Sequence, residues 1–244
     1  MKGLKDKVVI VSGGATLIGA AVARAFVAEG ARVVIADIDT RGGTALATEL
    51  GECCRFIATD VTCDADIEAC VAATLKAFGG VDCLVNVAAA YVDKGFDSPR
   101  EDWEKAFAIN VFGAVMFLRA CRPHLKNGGA VVNFGSTSAG VAQAGRWTYP
   151  ATKAAVLQFT RSAALDLAAD GIRVNAVAPT ITLTELAAVA WSDAAKSAPM
   201  MVRHPLNRFA EAEEVAQSIA LLLSDDSRMI SGAVLPVDGG FLAV

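Results

Sequence analysis

Short apolar runs rich in β-branched residues alternate along nearly the whole chain with longer segments of helical periodicity, and no other feature narrows the fold as far. Strands this apolar must be covered on both faces, and a helix between successive strands is the connection that parallel neighbours need. The alternation predicts an α/β fold, a doubly wound parallel seven-stranded sheet between two helical layers. Strands are expected near 7–12, 32–37, 54–59, 81–86, 130–135, 172–178 and 233–237. Helices are expected near 18–29, 41–50, 65–78, 99–122, 149–169 and 211–224. Ser98-Pro99 with Glu101 reads as a capped start for the fourth helix, and Gly30 and Gly79 stand where helices should stop.

With 244 residues, 54% of them hydrophobic, and no linker, low-complexity tract or internal repeat, one domain over 1–244 is expected. A net charge of −4 argues against a general nucleic-acid surface. The few apolar residues before Ser12 are too short for a signal or membrane segment. None of the six cysteines falls in a Cys-x-x-Cys pair, and His124 and His204 lack ligand-spaced partners, so neither a metal site nor a disulfide framework is expected. The expectation is a soluble cytoplasmic protein with no nucleic-acid or membrane partner.

The first strand runs into Ser12-Gly13-Gly14-Ala15-Thr16-Leu17-Ile18-Gly19 and then a helix. A glycine turn at that place lets the backbone approach a pyrophosphate, which free N–H groups and the helix dipole attract. Asp37 ends the second strand, where a carboxylate can accept hydrogen bonds from adenosine ribose hydroxyls and repels a 2′-phosphate. NAD is therefore expected over NADP, with Arg41 in the following segment as the counter-indication. Tyr149 and Lys153 lie four apart where an alanine-rich helix begins, on one helix face. A lysine beside a tyrosine stabilises tyrosinate and makes the phenol a candidate proton donor and acceptor.

Together these residues resemble the short-chain dehydrogenase/reductase family in its common single-domain form, from Lys7 to Gly240. Asp60-Val61 resembles the family's adenine-contacting pair, and Leu84-Val85-Asn86-Val87-Ala88-Ala89 resembles its Asn-Asn-Ala-Gly segment. Asn110 matches the family's asparagine, Ser136 precedes Tyr149 by the family's spacing, and Val237-Asp238-Gly239-Gly240 matches the usual C-terminal motif. The resemblance implies a Rossmann-like fold and catalysis by Asn110, Ser136, Tyr149 and Lys153. Tyr149 would exchange the hydroxyl proton, Lys153 would lower the phenol pKa and hold the nicotinamide ribose, Ser136 would bond the substrate oxygen, and Asn110 would anchor a relay water. Cofactor contacts would come from Ser12, Gly13, Thr16, Leu17, Ile18 and Gly19 in the turn, from Asp37, Asp60, Val61, Asn86 and Ala88 beyond the next strands, from Tyr149 and Lys153, and from Pro179, Ile181 and Thr184 beside the nicotinamide. Ser12, Leu17 and Thr180 depart from the family pattern, the last two by replacing glycines.

The reading that follows is an NAD-dependent oxidoreductase acting on a secondary alcohol or ketone. An NADPH-using acyl-carrier-protein ketoreductase and a non-catalytic nucleotide-binding scaffold are the alternatives. The substrate is expected under a lid at 185–205, with Ser138, Tyr91, Trp147 and Trp191 as candidate contacts. Their apolar character points to a hydrophobic or aromatic ketone, though the same residues suit core or subunit contacts. Arg146, Arg203 and His204 are candidate partners for a substrate carboxylate, with solvated surface charge as the alternative. The resemblance also implies a homotetramer.

Overall fold

Every residue of Val8-Val9-Ile10-Val11-Ser12 is buried, which is what a strand flanked by helices on both faces requires. The computed structural model describes residues 1–125, 128–183, 191 and 193–244. Thr184 and residues 185–190 and 192 of the expected lid lie outside the described residues. The strands β1 (Val8–Ser12), β2 (Arg32–Asp37), β3 (Cys54–Ala58), β4 (Cys83–Asn86), β5 (Ala130–Phe134) and β6 (Arg173–Pro179) alternate with helices, and β9 (Val234–Val237) closes one edge. All pair in parallel in the order β3-β2-β1-β4-β5-β6-β9. The order reverses between β1 and β4, so a crevice opens at the carboxyl ends of those strands. A two-stranded pair, β7 (Thr182–Leu183) with β8 (Ala210–Glu211), stands beside the sheet.

Two apolar layers hold the helices. On one face α1 (Leu17–Ala28) and α8 (Ala212–Leu223) bury Val22, Phe26, Val215 and Ile219 against alternate residues of the sheet. On the other, α3 (Asp64–Phe78), α5 (Gly113–Cys121) and α6 (Thr148–Asp166) bury Ile67, Phe117 and Ala163 against Ile10, Leu84 and Val131. The remaining helices are α2 (Thr40–Leu50), α4 (Arg100–Phe107) and α7 (Ala194–Met201).

The strands and helices expected from the sequence form within a few residues of their predicted limits. Gly79 ends α3 in a left-handed conformation, its N–H bonded to the Leu75 carbonyl. Two local expectations fail. The Ser98 hydroxyl accepts the Lys94 N–H at 2.8 Å, so it closes its own loop and does not cap α4. The helix expected over 99–122 is α4 and α5 joined by a π-helical turn at Ala108–Phe112, and Asn110 sits in that turn. The five-residue hydrogen-bond spacing of a π turn widens the helix locally and re-aims a side chain, which apolar periodicity does not reveal.

Candidate active site

The turn after β1 is tight because two glycines let backbones nearly touch. Gly13 has φ of 69°, and a Cβ there would lie 2.6 Å from the backbone of Ala88. A Cβ on Gly19 would come within 1.9 Å of the Gly13 carbonyl oxygen. The first turn of α1 is thereby drawn onto the strand end, leaving N–H groups free to face the crevice. Leu17 adopts φ of 54°, a conformation that costs an L-residue about 1–2 kcal/mol and that the family's glycine takes freely. Its side chain is half exposed and forms part of the cavity wall.

That cavity, about 740 Å³, runs from the turn to the start of α6. Gly13, Thr16, Leu17, Ile18 and Gly19 line it at one end with Asp37, Asp60 and Val61. Ser136, Tyr149 and Pro179 line it at the other, and Ala88 lines it beside Gly13. Asp37 accepts the Ala15 N–H at 3.0 Å and the Asp39 N–H at 3.0 Å, which fixes the carboxylate beside the turn. Arg41 is exposed and is not among the lining residues. The groups present fit an extended dinucleotide: a cradle that side chains would fill, a carboxylate fixed beside it, and a phenol and a hydroxyl further along, with Lys153 buried behind the lining and not part of it.

Ser12 and Asn86 sit behind the cavity wall. The Ser12 hydroxyl faces Asn86 Oδ1 at 3.5 Å, and Asn86 donates to Asn133 Oδ1 at 2.9 Å and to the Ala114 carbonyl at 3.2 Å. They tie β1, β4 and β5 together beneath the crevice. Ile181 is likewise not among the lining residues, whereas its neighbours Thr180 and Thr182 are.

Toward the start of α6, the phenol of Tyr149 lies between opposing influences. Burial pushes its pKa above the ordinary value, while the Ser136 hydroxyl beside it and the positive charge of Arg146 pull the other way. Lys153 is 1% exposed and burial brings its pKa down to about 7. Its Nζ donates to the Phe134 carbonyl at 2.7 Å and lies 5.5 Å from the centre of the Tyr149 ring. Asn110 accepts the Ala90 N–H at 2.7 Å, and its amide donates to the Ala90 carbonyl at 3.0 Å and to the Thr152 hydroxyl at 3.0 Å. Thr152 in turn donates to the Tyr149 carbonyl at 2.8 Å, so the π turn, the loop after β4 and the start of α6 form one bonded unit.

Sequence reasoning missed Asp93. Its carboxylate accepts N–H groups from Gly95 and Trp147, both on Oδ1, and from Tyr149 on Oδ2 at 3.1 Å, capping the first turn of the tyrosine-bearing helix from another loop. Burial alone would raise its pKa, but these backbone donors outweigh it and hold the carboxyl below the ordinary value. A lone Asp in a loop carries no spacing signal, because the residues it caps lie over fifty positions away.

Of the candidate substrate contacts, Tyr91 lines the cavity, with its ring 4.8 Å from that of Tyr149. Ser138 turns to Gln143, donating at 3.2 Å. Trp147 meets Phe96 edge-on at 5.6 Å, outside the lining, and Trp191 packs on Phe209 at 5.5 Å. His204 is buried, its Nδ1 donating to the Met200 carbonyl at 2.8 Å and its Nε2 bonded to the Thr180 hydroxyl at 2.7 Å. Arg203 stands over the Phe241 ring.

A family model described as enoyl-(acyl carrier protein) reductase matches residues 13–242. D-threitol dehydrogenase of Mycolicibacterium smegmatis is 36% identical over 244 residues, covering 98% of this chain and 94% of that protein. Cis-4-hydroxycyclohexanecarboxylate dehydrogenase of Sinomonas cyclohexanicum is 38% identical over 252 residues, covering 98% of each. A crystal structure of 3-ketoacyl-(acyl-carrier-protein) reductase from Brucella melitensis complexed with NADH superposes with a TM-score of 0.90 at 31% identity, covering 98% of this chain and 99% of that one.

Proposed function

The chain belongs to the short-chain dehydrogenase/reductase family, and on that premise we propose that it is an NAD-preferring dehydrogenase or reductase interconverting a secondary alcohol and its ketone. The observation that carries this reading is one cavity with Asp37 and the glycine turn at one end and Ser136 and Tyr149 at the other. A bound nicotinamide supplies the hydride acceptor in oxidation and the hydride donor in reduction.

The chain's own residues hold the substrate oxygen and move its proton. Ser136 positions the oxygen by a hydrogen bond, and Tyr149 takes the hydroxyl proton in oxidation and returns it in reduction. Burial alone opposes tyrosinate, so base function requires positive charge near the phenol, which Arg146 supplies and to which Lys153 would add in its ammonium form. With its pKa near 7, Lys153 can also pass a proton onward near neutral pH. Asn110 holds the loop after β4 against α6, which keeps the cavity wall and the phenol in register. Asp37 lines the cavity where the adenosine ribose would lie and Arg41 does not, which favours NAD.

Steady-state assays over a panel of alcohols and ketones with NADH, NADPH and their oxidised forms test the reading. Turnover with NAD preferred is expected; tighter binding of NADPH than NADH would overturn the cofactor preference, and silence across the panel would overturn the activity. A second reading, ketoreduction on an acyl carrier protein, has the Brucella structure in its favour. Preference for acyl thioesters over free ketones in the same assay would select it.

We also propose a homotetramer in the cytoplasm. Phe112 and Leu165 are 57% and 78% exposed on the outer side of the α4, α5 and α6 layer, the kind of apolar surface that a second copy covers. A monomeric mass in solution would refute the assembly, and a membrane or secreted fraction would refute the location.

A further inference from the structure

Of the three side chains considered for a substrate carboxylate, the structure separates one; Lys105 also lines the cavity, without an ion-pair partner among the described residues, but nothing holds its ammonium against an aromatic ring there. His204 is spent within the protein on Thr180 and Met200, and Arg203 covers Phe241. The Arg146 guanidinium lies over the Tyr91 ring, 4.9 Å from its centre, and that ring lies 4.8 Å from the ring of Tyr149. One ring, Tyr91, therefore stands between the cation and the tilted ring of Tyr149, beside the cavity that Tyr91 and Tyr149 both line. Its charge is close enough to act on the phenol's ionisation.

Arg146 also lacks a carboxylate partner. Among the described residues it takes part in none of the ion pairs. Asp93, which bonds the N–H of the residue after Arg146, is committed to the N–H groups of Gly95, Trp147 and Tyr149, and the neighbouring Lys94 is paired with Asp102 at 2.7 Å. A planar guanidinium stacked on an aromatic face has lost much of its freedom already, so its fork of donors can take an oxyanion with little further ordering.

We propose that Arg146 anchors an anionic group on the substrate, so that the preferred secondary alcohol or ketone carries a carboxylate or another compact oxyanion at the end of an apolar body. The anion sits on the guanidinium, the apolar body lies along Tyr91, and the carbonyl reaches Ser136 and Tyr149. This rests on the oxidoreductase reading and narrows its substrate class. The apolar rim and the Arg146 guanidinium then serve one ligand: Tyr91 supplies area, and Arg146 sets which end of the molecule points outward.

The test uses methyl-ketone carboxylates of increasing chain length, from levulinate upward, beside their methyl esters and the matching sulfonates, with NADH consumption as the readout. The wild-type protein should prefer acid to ester by about tenfold or more in kcat/KM, chiefly through KM, with an optimum chain length. Arg146→Gln should collapse that ratio toward one, Arg146→Lys should restore part of it, and rising salt should weaken it. The ratio within each variant is the readout, so a general loss of activity cancels. Sulfonates matching the acids would show that any compact oxyanion serves; acids alone would show carboxylate selectivity. Equal use of acid and ester by the wild type, or an unchanged ratio in Arg146→Gln, would overturn the proposal. If no ketone turns over, the oxidoreductase reading is what fails, and the anchor is still decided by quenching of protein-bound NADH fluorescence: acid binding lost in Arg146→Gln supports it, and equal binding of acid and ester overturns it.

Discussion

The proposed proton-transfer centre and the rim around it are built on opposite plans. Asn110, Thr152 and Lys153 are buried, and each polar side-chain group meets a protein partner within 3.0 Å. Tyr91, Phe96, Trp147 and Arg146 are all exposed and meet in two pairs, Arg146 over the Tyr91 ring and Phe96 edge-on to Trp147. A hydrogen-bonded buried group has one geometry, because losing a partner costs a full desolvation penalty. Stacked groups in water have several arrangements of nearly equal energy. The centre is suited to constant chemistry, and the rim to a contact that can change without disturbing it.

Substitutions can break this contrast at different depths. Tyr149→Phe should lower turnover by about 10²–10⁴-fold while NADH binding, followed by fluorescence titration, stays near normal. Retained turnover would mean the proton leaves by another route. Lys153→Met tests the cost of the buried amine. With a pKa of about 7 in the fold against an ordinary value of 10.5, lysine binds more protons unfolded than folded between those values. The penalty is full below about pH 7 and fades as pH rises toward 10. Denaturation of cofactor-free protein should therefore show the methionine variant gaining most at low pH, its advantage shrinking by up to about 1.4 kcal/mol per pH unit across that window. A pH-independent difference would show that the amine is not strained by burial.

Asp93→Ala joins the two regions, since the carboxylate sits among rim residues and holds the helix that carries Tyr149. Loss of its N–H contacts should cost about 1–2 kcal/mol in denaturant unfolding and reduce kcat more than it raises KM for NADH. A variant with unchanged kcat would show that the helix start holds itself. Leu17→Gly should have the smallest effect, a gain of up to about 1 kcal/mol in thermal stability as the left-handed backbone relaxes. A loss would mean the leucine side chain returns more by packing than its conformation costs.

The sheet was legible because its strands are nearly all apolar and its helices carry a clear period. Tyr149 and Lys153 could be paired from the sequence because one helix face sets their spacing, whereas Asn110 and Ser136 were singled out only by the family resemblance. Asp93 was invisible because its role is a contact between two loops. The π turn was invisible for a different reason: one extra residue in a helix changes direction without changing composition. Tyr91, Trp147 and Trp191 could be chosen by type but not by aim, and only Tyr91 proved to face the cavity. The three rim cations looked alike in sequence because nothing there shows that one is bonded within the core, one covers a ring at the C-terminal segment, and one stands beside the phenol.

The π turn at Ala108–Phe112 has a consequence for how the chain can change length. It holds one residue more than an α-helical turn, so deleting a residue there would let the helix close into regular α form with Phe117 and Cys121 still facing the sheet. The same deletion would swing Asn110 off Ala90 and Thr152. At this one place the ancestry of the fold and the ancestry of the chemistry can part: a descendant shorter by one residue would inherit the architecture and lose the fastening of its reaction centre.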